Sequence, residues 1–506
     1  MKRPADRLLP LLLAAALCIH VCAASAAQSA AGYLCAAVPS PQVGAVGGEW
    51  AVLAVSRAGY AAPDGYFDRY RTAAAERLRL SGGVLSPRRH TEYSRVILAL
   101  SALGTDARSF AGYDLTLPLG DYEKTVAQGL NGAAFALLAL DSAAYPMPRS
   151  GAGVPATRQM YAGLLLARQN ADGGWSLSGD SSDADLTAMA LQALAPYRAQ
   201  PRVDAAVARG VACLSALQNA DGSFPSDSVP TAESCAQALL ALCALAIPVT
   251  DARFVKGGAT ALDALLRFAA PAGGFRHTAD GAVNPMASEQ AACALAALER
   301  AAEGRPFFYD MRDALTLRAE PVTFSDIRAD RDRASIETLA ALGAVNGKGN
   351  GRYDPSSGLT RAEFAAIVTR AFGLVPGVDA AFFDVAADAW YAPYVGAAYR
   401  SGVVNGVGGG RFAPDGTLSR QEAAVMLTRA AAFCALDTAA DEAALSARLD
   451  ASSVASWARA GVAYCIGAEI WRFDGLLDPE RPVTRGEMAQ MVCALLARAA
   501  IVTEAG

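Results

Sequence analysis

Between residues 45 and 305, segments that are apolar at nearly every position alternate with segments whose apolar residues recur at helical spacing. The first kind reads SRVILALSALG from Ser94, NGAAFALLAL from Asn131, LTAMALQALAP from Leu186, CAQALLALCALA from Cys235 and QAACALAALERA from Gln290. The second kind includes YFDRYRTAAAERLRL from Tyr66, TRQMYAGLLLARQN from Thr157 and the stretch 203–218. A helix that is apolar all round is buried on all sides, whereas an amphipathic one covers a core on one face only. The alternation predicts an inner ring of apolar helices inside an outer ring of amphipathic ones. The expected fold class is therefore all-α, with an α/α toroid over 45–305.

Gly-rich turns punctuate this region. QNADGGWSLSGD starts at Gln169 and QNADGSFPSD at Gln218, with weaker relatives GGEWAVLAVSRAG around Trp50 and GGFRHTADG around Phe275. The glycines permit the turn, the Gln ends one helix and the aromatic ring packs beneath the next. This pattern resembles the QW motif of the terpenoid cyclase and protein prenyltransferase superfamily. It also resembles the toroids of cobalamin carriers and of some polysaccharide lyases. The resemblance implies an architecture, and architecture does not carry activity.

One segment, DADLTAMAL from Asp183, resembles the DxDDTAM acid motif of class II terpene cyclases, but Leu186 stands where the next Asp belongs. The competing reading is that Asp183 or Asp185 caps a helix; the helix N-terminus would then keep Asp185 ionised. Aligning the inner helices on their Ala-Leu cores places Ser94 and Arg95, Asn131, Asp185, Gln237, Glu289 and Gln290 at one level, with Asp183 just before it and Glu233 a turn earlier. These residues are expected to form a net-acidic mouth above an apolar funnel. Such a funnel suits a small amphipathic molecule or a glycan end; ordinary polar helix termini at solvent are the other reading. Arg95 beside Glu289 is the one candidate constellation for lyase-like chemistry. A binding or structural toroid is favoured, with a polysaccharide lyase-like or terpene cyclase-like enzyme as the alternative.

Beyond Thr323 the chain repeats with a period of about 60 residues. The three copies contain GRYDPSSGLTRAEFAAIVTRAFGL, GRFAPDGTLSRQEAAVMLTRAAAF and LLDPERPVTRGEMAQMVCALLARA. Each reads as two helices joined by a turn. Thr360, Ser419 and Thr484 stand three residues before Glu363, Glu422 and Glu487, a capping box repeated three times. Arg361, Arg420 and Arg485 fill the first helical position, where the dipole disfavours a cation. That repeated cost suggests an anionic ligand met by Arg and by free backbone N–H groups.

The TRAE, SRQE and TRGE motifs, the opening Phe-x-Asp and the Asn-Gly turn resemble S-layer-homology (SLH) domains. The resemblance implies a pseudo-threefold bundle that binds secondary cell-wall polysaccharide, commonly pyruvylated. Carried over, Arg361, Arg420 and Arg485 would meet the ketal carboxylate, Asp326, Asp384 and Asp450 would bond sugar hydroxyls, and Trp390 and Trp457 would stack on a ring. Arg331 replaces the usual Trp of the first repeat, and Ile470-Trp471 replaces the Asn346-Gly347 and Asn405-Gly406 turns. The second repeat is the most complete, so the best pocket is expected around its motif residues.

Composition narrows the rest. Lys2, Arg3 and Arg7 precede the apolar run Leu8 to Val21 and the small-x-small triplet Ala24-Ser25-Ala26, which predicts a signal peptide over 1–26 and a secreted protein. The run is too short and too interrupted by Pro10 to span a membrane, and no later segment is long enough. A net charge of −5 without a basic stripe argues against nucleic acid. Ten cysteines and three histidines form no CxxC or Cys/His cluster, so neither a metal site nor a cofactor is expected. The expected domains are a short linker 27–44, the toroid 45–305, a linker 306–322, and repeats 323–376, 381–437 and 446–500.

Overall fold

The structure, a computed structural model, describes residues 25–44, 46–149, 153–271, 273–317, 322–472 and 475–502. All but two residues of the expected leader lie outside this set. Two compact units emerge. One comprises Met1–Pro148, Arg168–Ala195 and Val207–Arg318, and the other Arg149–Ala167, Pro196–Ala206 and Ala319–Gly506.

Six apolar helices organise the first unit: α1 (Glu49–Arg57), α2 (His90–Ala102), α3 (Leu130–Ser142), α4 (Ala184–Leu194), α5 (Ala232–Ala244) and α6 (Pro285–Ala302). Each packs on the next and α6 packs back on α1, so the ring closes. Alanine makes this possible: Ala133, Ala136, Ala238 and Ala294 are fully buried, letting backbones approach on both flanks. The starts of α4, α5 and α6 are capped by Asp183, Thr231 and Asn284, each accepting a backbone N–H three residues on. Asp183, not Asp185, is thus the helix cap.

The Gly-rich turns are built as the architectural reading requires. Gln169 Nε2 donates to the Gly173 carbonyl at 2.7 Å, and Gln218 Nε2 to the Gly222 and Phe254 carbonyls at 3.0 Å. Trp175 and Phe224 are wholly buried. Gly222 has φ +84°, and a Cβ there would lie 2.6 Å from the Thr260 carbonyl oxygen, so glycine is needed on both counts.

Two stretches read as linkers are structured. Residues 25–37 are helical, because Ala27, Ala30, Ala31, Leu34 and Cys35 recur at helical spacing and are buried. The segment after α6 is docked through Phe308 and Met311, both fully buried. There Asp313 receives the guanidinium groups of Arg57 at 2.8 Å and of Arg300, while Arg57 Nε donates to the Phe308 carbonyl at 2.9 Å. Two arginines at the far ends of α1 and α6 hold that segment.

Six helices carry the repeats of the second unit: α7 (Arg333–Ala341) and α8 (Arg361–Phe372), α9 (Ala392–Arg400) and α10 (Arg420–Phe433), α11 (Arg459–Gly467) and α12 (Arg485–Arg498). The first helix of each repeat packs on the second helix of the preceding one: α9 on α8, α11 on α10 and α7 on α12. All three capping boxes are complete in both directions. A triangle of backbone bonds joins the repeats: Leu359 N–H to the Val483 carbonyl, Val483 to Leu418 and Leu418 to Leu359, at 2.9–3.3 Å. These three side chains are buried. The array therefore has cyclic pseudo-threefold order.

Candidate functional site

Inside the toroid lies a cavity of about 440 Å³, lined by residues from all six inner helices. Arg95, Asn131, Gln237, Glu289 and Gln290 line it, whereas Asp183, Asp185 and Glu233 are not among the lining residues. Glu233 pairs with His277 Nδ1 at 2.9 Å. Asp185 takes a hydrogen bond from Ser234. Burial, with the nearby charges of Asp183 and Glu233, pushes its pKa up to about 6 against the pull of Ser234. Asp185 is expected to be ionised by the helix terminus; burial raises its pKa without bringing it above neutrality. Leu186, at the position where the cyclase motif carries its next acid, faces the cavity instead.

Among the cavity residues that the sequence reading lacks are Glu49 and Trp50. Glu49 Oε2 lies 3.5 Å from Arg95 Nε, and its Oε1 accepts the Gly44 N–H at 3.0 Å and the Tyr70 hydroxyl at 3.5 Å. The partner of Arg95 is thus Glu49, which redraws the Arg95–Glu289 constellation. Glu289 accepts the Gly47 N–H. Burial raises the pKa of both carboxyls; Glu289, further pushed by the charge of Glu49, reaches about 7. Across the cavity Trp50 meets Phe135 with ring centroids 5.8 Å apart. Gln192 donates to Gln237 and Gln237 to Gln290, both at 3.0 Å, linking α4, α5 and α6.

In the repeat array, the motif arginines are buried and each reaches into the next repeat. Arg361 Nε donates to the Phe412 carbonyl at 2.8 Å, its Nη2 to the Asn405 carbonyl at 2.9 Å, and its Nη1 to Glu422 at 3.2 Å. Arg485 repeats this on the Tyr353 and Asn346 carbonyls at 3.0 and 2.9 Å, with Glu363 3.9 Å away. Arg420 donates to the Leu477 carbonyl at 2.6 Å and pairs with Glu487. The three aspartates hold the same residues from the other side. Asp384 accepts the N–H groups of Phe412 and Ala413, Asp326 those of Tyr353 and Asp354, and Asp450 those of Leu477 and Asp478, at 2.8–3.0 Å. These bonds hold all three carboxyls below their usual range despite the opposing effect of burial.

Two expectations change as a result. The backbone N–H groups at the helix starts are not free: those of Arg361 and Ala362 donate to Gly416 and Pro414, those of Arg420 and Gln421 to Arg481 and Pro479, and those of Arg485 and Gly486 to Ser357 and Pro355. The cost of a cation at the helix start is offset by carbonyls and a glutamate of the neighbouring repeat. The grouping also shifts: Asp384 and the Asn405-Gly406 turn lie with Arg361, while Arg420 belongs with Asp450 and Trp471. Trp390 and Trp457 are more than half exposed, at 58% and 59%. At Gly406 a Cβ would lie 2.7 Å from the Phe382 ring. The third repeat has Arg448, exposed, where the others have Phe324 and Phe382, and Trp471, buried, where they have Gly347 and Gly406.

Comparison with known proteins fits this geometry. The S-layer homology domain model matches residues 323–365, 381–424 and 449–489. The three repeats are S-layer homology domains. The surface-layer 125 kDa protein of Lysinibacillus sphaericus is 32% identical over 162 residues, 31% of this chain and 13% of that protein. The S-layer protein sap of Bacillus anthracis is 31% identical over 175 residues, 34% of this chain and 21% of that protein. Exoglucanase XynX of Acetivibrio thermocellus is 30% identical over 178 residues, 35% of this chain and 16% of that protein. The chain thus spans about a fifth or less of these relatives' own length. Among solved structures, Candida albicans protein geranylgeranyltransferase-I complexed with GGPP aligns with a TM-score of 0.39 and 13% identity, covering 54% of this chain and 91% of that one.

The SLH domains make this a cell-surface protein, held at the cell wall by its carboxy-terminal third. No helix among the described residues is long and apolar enough to cross a membrane.

Proposed function

We propose that the SLH array binds secondary cell-wall polysaccharide bearing pyruvate ketals and displays the toroid as a binding module at the surface, after export directed by the leader 1–26. The observation carrying this reading is Trp390: a large ring, more than half exposed, close in sequence to Asp384, which helps build the groove that Arg361 and the Asn405-Gly406 turn complete. A sugar stacks on the indole, and the Arg361 guanidinium supplies charge for the ketal carboxylate. Arg420 and Arg485, with Asp450 and Trp457 or Asp326, build weaker versions of the same groove, since Trp471 crowds one and Arg331 replaces the stacking ring of the other. The toroid cavity, with its polar rim and aromatic wall, binds a small molecule or glycan end.

The test is sedimentation of the full chain with purified cell-wall sacculi. Trp390→Ala leaves folding intact, because the ring is largely in solvent, and weakens binding roughly two- to tenfold, as expected for about 0.5–1.5 kcal/mol of stacking. Unchanged binding of this variant would contradict the groove.

A further inference from the structure

The toroid cavity offers more acceptors than its own donors engage. Glu289 is 1% exposed; one carboxylate oxygen accepts the Gly47 N–H, and no donor among the described residues reaches the other. The buried Asn131 Oδ1 likewise has no hydrogen-bond partner among the described residues. Arg95, the cation lining the cavity, is spent on Glu49. The remaining wall is apolar and aromatic, with Trp50 and Phe135 in ring contact and Met189 and Met286 beside them. Two carboxylates against one guanidinium, an empty acceptor and an aromatic wall together specify a ligand's charge and shape.

We infer that this cavity takes an organic cation, an ammonium or guanidinium head set against Glu289 with an apolar body along Trp50 and Phe135. The inference rests on the reading of the toroid as a binding module and names its ligand class. A single positive charge neutralises the site, gives Glu289 and Asn131 the donors they lack, and meets the negative faces of the two rings. An anion meets Glu289 and is repelled. A neutral polyol satisfies the acceptors but gains nothing from charge.

The ionisable groups around Glu289 set the pH dependence. Glu49 adds negative potential around it, the neutral Cys293 thiol and Tyr66 lie close, and Arg95 and Tyr70 act on it through Glu49. Near neutrality a proton competes with the ligand for Glu289, so cation binding releases protons and weakens as pH falls.

The experiment is isothermal titration of the full chain with phenylbutylammonium, phenylbutanol and phenylbutanoate, which share one apolar body and differ in charge. At about pH 8 the ammonium is expected to bind roughly tenfold or more tighter than the alcohol, with the carboxylate weakest, and at about pH 5.5 the advantage shrinks as Glu289 protonates. Glu289→Gln lowers the ammonium affinity to that of the alcohol. Equal binding of ammonium and alcohol in the wild type would overturn the charge assignment and leave the binding reading standing. No binding of any of the three would overturn both. The isosteres make the test independent of how well the variant folds.

Discussion

Arg361→Ala is expected to destabilise the SLH array by about 1–3 kcal/mol, the cost of leaving buried carbonyls without their donor. The side chain is 4% exposed, and its loss removes one donor from Glu422 and leaves the Asn405 and Phe412 carbonyls without this donor. Arg361→Lys keeps the charge but not the three-way fork, so it folds with a smaller penalty. Chemical denaturation, followed by circular dichroism, reads both. Wall binding then tests the grouping. If the proposed groove joins Arg361 and Trp390, a double-mutant cycle of Arg361→Lys with Trp390→Ala should show coupling of about 1 kcal/mol. The same cycle with Arg420→Lys should be additive within about 0.5 kcal/mol. Coupling of Trp390 to Arg420 instead would restore the grouping by repeat and contradict the cyclic one.

Glu289→Gln is expected to stabilise the unliganded protein above neutral pH by about 1–3 kcal/mol. Glu289 has its folded-state pKa raised from 4.5 to about 7 by burial and by Glu49. The folded protein then holds a proton that the unfolded chain has already released. Stability from this group is complete below about pH 4.5, declines as pH rises and levels off above about 7. Glutamine is neutral throughout and can still accept the Gly47 N–H, so the variant loses that decline. Thermal unfolding of wild type and variant at about pH 4 and pH 8 measures it, with convergence at the acid end and separation at the alkaline end. A constant difference across the range would show that Glu289 is ionised in the folded state at neutrality.

Local chemistry was legible in the sequence, and what crosses between repeats was not. Thr360 with Glu363, Ser419 with Glu422 and Thr484 with Glu487 form the capping boxes that their spacing announces. The carbonyls that occupy the following N–H groups come from the neighbouring repeat, more than 50 residues away for the bond from Arg361 to Gly416. No local pattern reports them. For the same reason the arginines were assigned to their own repeats rather than to the next. In the toroid, aligning helices on their Ala-Leu cores brought Arg95, Asn131, Gln237, Glu289 and Gln290 to one level. Glu49-Trp50 obeys the same alignment against Ala51-Val52-Leu53-Ala54-Val55, but the glycines of GGEW give it the local pattern of a turn. Asp185 departs from the set because the third position on α4, Leu186, faces the cavity and the second, Asp185, turns to Ser234. The segments 25–37 and 306–317 looked like linkers because they lie outside the repeats; the apolar spacing of the first and the paired arginines facing the second bind them to the core.

The central claim is that the SLH array holds this protein on wall glycan rather than on peptidoglycan. Sedimentation of the full chain with intact sacculi, and with sacculi chemically stripped of secondary polysaccharide, tests it most directly. The protein should pellet with the intact walls and stay in solution with the stripped ones. Equal pelleting with both would contradict the account.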